Sequence, residues 1–77
     1  MQLTALKLAR LRQGLLQVDV AHAAHIARAR FSELENGYII PTDAELARVA
    51  FVLGVDATEL ESAVRAEQRA RRARRGS

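Results

Sequence analysis

Seventy-seven residues without cysteine make at most one small domain, which buries about 60% of the surface its unfolded chain exposes; a large catalytic architecture, a disulfide framework and thiolate chemistry are excluded. The net charge of +3 conceals a segregation: residues 1–32 hold Lys7, Arg10, Arg12, Arg28 and Arg30 against Asp19, residues 33–64 hold seven acids against Arg48, and residues 65–77 hold six arginines against Glu67, so the three stretches carry +4, −6 and +5. Basic clusters of this kind favour a polyanionic partner, and the apolar stretches are too short and interrupted for a signal peptide or membrane span, which makes a soluble, cytoplasmic protein the default expectation.

Hydrophobic spacing is helical almost throughout and predicts five helices. The first, over about 4–13, carries Leu3, Leu6, Leu8 and Leu11 near one face and stops at Gly14. The second, about 17–24, buries Val20, Ala21 and Ala24; a link through His25–Ala27 leads to a third, about 28–36, which buries Phe31 and Leu34 and ends at Asn36-Gly37. Thr42 and Glu45 form a capping box after Pro41 and open a fourth helix with Leu46, Val49, Ala50 and Leu53 at i, i+3, i+4, i+7. Gly54 ends it, and Asp56 with Glu59 repeats the capping pattern for a fifth.

The large apolar residues of that fifth helix, Leu60 and Val64, stop early, and from Arg65 onward only alanines and Gln68 interrupt the charges. Glu61 to Arg65 and Glu67 to Arg71 are spaced i, i+4 in the favourable order. The segment either runs on as part of a solvent-exposed helix, about 28 Å long if unbroken from 57 to 75, or frays into a disordered tail. The composition break divides the chain into a domain over 1–64 and a basic, Arg-rich C-terminal tail over 65–77.

Residues 17–36 hold the spacing of a helix-turn-helix: small Ala21 where two helices cross closely, Ile26 in the turn, Phe31 and Leu34 pointing inward. Together with Arg10, Leu15-x-Gln17, Val20, Leu34-Glu35-Asn36-Gly37, Pro41, Leu46-Ala47-x-Val49-Ala50-x-x-Leu53-Gly54-Val55 and Leu60, they make the chain resemble, over about residues 5–62, the lambda-type repressor and Cro DNA-binding domains of the Xre family. The resemblance implies an all-α, five-helix lambda-repressor-like domain, with the helix-turn-helix as helices two and three. Two departures stand out: His25 holds the turn position usual for glycine, and Leu16 and Ala27 stand where Ser or Thr would cap helices two and three.

The resemblance also implies roles. Gln17 is expected to bind a backbone phosphate and brace the recognition helix, whose exposed Arg28, Ala29, Ser32 and Glu33 reach base edges in the major groove. Arg28 suits guanine, Glu33 a cytosine amino group and Ala29 a thymine methyl. Arg30 lies beside that face and suits a phosphate, as do Asn36 and Tyr38 at the helix exit. Arg10 and Glu35 match a buried structural ion pair. Three assignments stay open: Glu33 either reads a base or pairs with Arg30, Ser32 is either a DNA contact or a plain helix residue, and Tyr38 either contacts a phosphate or covers apolar surface at the loop. In the tail, Arg69, Arg71, Arg72, Arg74 and Arg75 are candidate phosphate contacts.

His22 and His25 lack a third ligand for a tetrahedral set, so no metal is expected. Ser32, Ser62 and Ser77 have no nucleophile-elbow context and there is no phosphate-binding glycine loop, so neither an enzyme, a cofactor nor a small-molecule ligand is expected. Membrane binding by the tail is disfavoured, since it offers only alanine as apolar surface. Because one domain covers about half a site, a homodimer on a near-palindromic operator is expected, with Ile39, Ile40, Val55, Leu60 and Val64 as interface candidates. The reading is a sequence-specific double-stranded-DNA-binding transcriptional regulator, a small phage immunity repressor or Cro-like repressor in a bacterial cell or phage-infected host. The rival is an antitoxin-like or controller protein of the same fold whose acidic stretch 33–64 binds a partner protein.

Overall fold

The computed structural model describes residues 3–75. Five helices follow in chain order: α1 (Ala5–Arg12), α2 (Gln17–Ala23), α3 (Arg28–Asn36), α4 (Asp43–Leu53) and α5 (Ala57–Arg75), with no strand among the described residues. This is the all-α arrangement of a lambda-repressor-like domain, and no helix in it is long and apolar enough to cross a membrane.

Most helix starts have a local chemical cause. Thr4 caps α1, its hydroxyl oxygen accepting from the Lys7 N–H at 3.1 Å. At α4 the capping box is complete: Thr42 Oγ1 accepts from the Glu45 N–H at 3.1 Å while the Glu45 carboxylate accepts from the Thr42 N–H at 2.9 Å. The Asp56 carboxylate accepts from the Glu59 N–H at 2.9 Å and begins α5. By contrast α2 and α3 begin at Leu16 and Ala27 without a side-chain cap, so packing holds the pair. His25 takes φ 57 in the turn between them, and the Ile26 N–H closes that turn on the Ala21 carbonyl at 2.9 Å.

The core gathers Leu6 from α1, Val20, Ala21 and Ala24 from α2 and its end, Ile26 from the turn, Phe31 and Leu34 from α3, Leu46, Val49, Ala50 and Leu53 from α4, and Leu60 and Val64 from α5. Burying each of the larger side chains stabilises the fold by about 1.5–3 kcal/mol. Two expectations are corrected here. In α1 the buried stripe is Leu6 and Arg10, spaced i, i+4, whereas Leu3, which precedes the helix, and Leu11, about 100° round from Arg10, are exposed. Leu60 and Val64 belong to the core and not to an interface, because α5 packs over both α1 and α4.

Helix α5 runs unbroken across the composition break at Arg65. Its inward stripe, Leu60 and Val64, continues at helical spacing with Glu67 and Arg71, whose polar heads reach across to other elements. The Glu67 carboxylate accepts from the Ala5 N–H at 2.6 Å, at the start of α1, and the Arg71 guanidinium donates to the Gly37 carbonyl. Arg65 donates to the Asp43 carboxylate at 3.0 Å and the Pro41 carbonyl at 3.4 Å. The expected pairs Glu61–Arg65 and Glu67–Arg71 are therefore not made: an i, i+4 pair contributes only about 0.2–0.5 kcal/mol, and tertiary partners outcompete it.

Candidate nucleic-acid interface

Behind α3 lies a buried polar network. Glu35, on the inner side of α3 and fully enclosed, accepts from Arg10 through both carboxylate oxygens, at 2.6 and 3.0 Å. Arg10 also donates to the Leu15 carbonyl at 2.7 Å, and the Gln17 side-chain amide donates to Glu35 at 2.7 Å. The Thr4 hydroxyl donates to the Glu35 main-chain carbonyl at 2.5 Å. One carboxylate thus ties α3 to α1 and to the first residue of α2, and Arg10 extends the tie to the α1–α2 loop. A planar guanidinium is suited to this work, since its fork matches a carboxylate in two parallel bonds.

On the outer side of α3, Arg28, Ala29 and Glu33 are exposed. Neither the Arg28 nor the Glu33 side chain makes a hydrogen bond or ion pair within the described residues, so both heads can reach an external partner. Ser32 is half-buried, and its main-chain carbonyl accepts from the Asn36 side-chain amide at 2.9 Å. Tyr38, just past the left-handed Gly37 that ends α3, is 78% exposed. Gln17 is half-buried at the start of α2, with one amide proton engaged by Glu35.

Arg30 has an engagement that its position in the sequence does not reveal. Its guanidinium grips Glu45, on the first turn of α4, at 2.6 and 3.0 Å. The pair lowers the Glu45 carboxyl to about 2, chiefly through the Arg30 hydrogen bonds and despite burial, with the Thr42 N–H adding to the effect. The same bonds raise the Arg30 guanidinium above its ordinary value, and nearby Glu33 adds a weaker pull without a hydrogen bond. Glu33 and Arg30 are thus neighbours in charge, but the bonded partner of Arg30 is Glu45. Arg48 was also illegible: it donates to the Ala24 carbonyl at 2.7 Å, placing a cation on the end of α2.

In the basic half of α5, Arg69 and Arg72 are exposed, while Arg71 lies over Gly37. The side chains of Arg74 and Arg75 lie outside the described residues. His22 and His25 are both exposed, and no cluster of three or more His, Cys, Asp or Glu residues capable of holding a metal is found among the described residues.

A family model described as a helix-turn-helix domain matches residues 4–63. The chain belongs to the helix-turn-helix domain family. No curated protein and no solved structure matches it. In this helix-turn-helix domain α2 and α3 are the paired helices, and such a domain is the mark of a DNA-binding regulator. The match takes in α1 to α4 and the first turns of α5, and it stops before the basic half of α5.

Proposed function

We propose that this helix-turn-helix domain is a sequence-specific, duplex-DNA-binding transcriptional repressor of the phage-immunity or Cro-like kind, reading a near-palindromic operator as a two-fold pair with α3 in the major groove. The observation that carries this reading is the two-sided construction of α3. Its inner side is fixed by the Arg10–Glu35–Gln17 network, and its outer side presents the Arg28 and Glu33 side chains with no hydrogen-bonded or ion-paired partner among the described residues.

A recognition helix needs both properties. Base reading by a bidentate Arg–guanine or a Glu–cytosine contact discriminates by about 1–3 kcal/mol per pair, and it does so only if the backbone carrying the side chain is held in register. Asn36 and Tyr38 at the helix exit, with Gln17 at the start of α2, suit phosphate contacts that set that register without reading sequence. Arg30 does not join them while its guanidinium is held by Glu45. Repression follows if the bound pair occludes RNA polymerase.

Selection of bound duplexes from a random pool with the full chain tests the reading. A shared motif with two inverted half-sites is the expected result. Arg28→Ala should then lose about 5- to 150-fold in preference for the selected site, the equivalent of 1–3 kcal/mol, while binding to mixed-sequence duplex changes far less. Recovery of no motif, or an R28A protein with unchanged preference, overturns the proposal.

A further inference from the structure

A shallow hollow lies between the exit of α3 and the basic half of α5, lined by Tyr38, Ile40, Gln68, Arg71 and Arg72 around Gly37. The geometry points to this hollow as a second phosphate-contact site for the duplex, in which Arg72 and the Tyr38 hydroxyl touch one backbone phosphate and Arg71 positions the loop beneath it. The inference rests on the DNA-binding reading above and adds to it a site built by a part of α5 beyond the residues that match the family.

Three observations converge. First, the hollow adjoins the C-terminal end of α3, and when the N-terminal half of a recognition helix reads base edges its far end and the following loop approach the sugar-phosphate strand. Second, the chemistry suits that strand: Tyr38 is 78% exposed and Arg72 is exposed, so a phenolic donor and a free guanidinium flank one opening. Third, Arg71 removes the obstacle such a site faces. The end of a helix presents carbonyl oxygens and the negative pole of its dipole, which repel an anion; here the Arg71 guanidinium covers the Gly37 carbonyl and supplies positive charge at that point.

The position of the arginines makes the inference specific. Arg69 carries the same charge on the same helix and is exposed, yet it does not line the hollow. A diffuse basic tail makes Arg69 and Arg72 equivalent, whereas a built site makes them different.

Salt titration of the full chain on its pool-selected duplex separates the cases. For Arg72→Ala the slope of log K against log salt should fall by about 0.9 per protomer, with preference for the selected site over mixed-sequence duplex unchanged; Tyr38→Phe should weaken binding without altering the slope. Arg69→Ala should leave the slope near that of the parent. Equal slope losses for R69A and R72A, or none for R72A, overturn the inference. Saturable competition by inorganic phosphate, beyond that of chloride at equal ionic strength, also overturns it, by showing a free-anion site. If the parent chain selects no duplex at all, the failure belongs to the DNA-binding reading and is recognised as such.

Discussion

Glu45 shows how one side chain takes two roles. It completes the capping box at α4, it is the partner that holds Arg30, and it is enclosed enough for both to matter. Its carboxyl is held near 2 against an ordinary 4.5, so between those values the unfolded chain binds more protons than the folded one. Stability contributed by this group is therefore full above about pH 4.5 and is lost as pH falls towards 2. Glu45→Gln separates the roles, since glutamine still accepts from the Thr42 N–H but carries no charge. Urea midpoints measured from pH 7 down to pH 2 should show E45Q modestly less stable at neutrality. The gap should close across the acid window, and one of unchanged size at pH 2 would contradict this assignment.

At the scale of the element, α3 is tied on its inner side to α1 and α2 through Glu35 and exposes Arg28, Ala29 and Glu33 on its outer side. Breaking one partner of a buried, hydrogen-bonded ion pair costs about 3–5 kcal/mol, a large share of the 5–15 kcal/mol that holds a typical domain together. Glu35→Ala should therefore leave the chain largely unfolded in urea or thermal melts. An Arg10→Met, Glu35→Leu double substitution should refold, because neither partner is then left uncompensated. A folded E35A single variant would show that the pair contributes little.

The same helices show what sequence alone discloses. Apolar residues recur at helical spacing and caps are local, so five helices and the cluster of Phe31, Leu34, Leu46 and Val49 were legible. Of the polar ties, the Arg10–Glu35 pair was legible through the resemblance, and the others were not. Arg30 to Glu45, Arg48 to Ala24, Glu67 to Ala5 and Arg71 to Gly37 each join elements 15 to 62 residues apart, and their partners are chosen by tertiary placement, which no short-range spacing encodes. Glu67 and Arg71 continue the inward stripe of Leu60 and Val64, yet periodicity is read from apolar residues and so ended at Val64.

At the scale of the whole molecule, the proposed two-fold pair on DNA needs a surface through which two copies meet. With Leu60 and Val64 in the core, the exposed large apolar side chains among the described residues are Leu3, Leu11, Leu16, Val18, Tyr38, Ile40 and Phe51, which are spread over α1 and the residues before it, the start of α2, the α3–α4 loop and α4. Among the described residues no long apolar stripe of the kind that drives an obligate dimer is left over. Pairing should therefore be weak in free solution and be completed on the operator, where two half-sites about one helical turn apart hold the copies face to face. Sedimentation of the free chain at micromolar concentration should give mostly monomer, and addition of the selected duplex should give two copies per site. Inserting about 5 base pairs between the half-sites rotates one copy roughly half a turn away from the other and should abolish cooperative binding while leaving each half-site occupied singly. Cooperativity insensitive to the insertion, or a footprint covering one half-site at saturation, would exclude a two-fold pair.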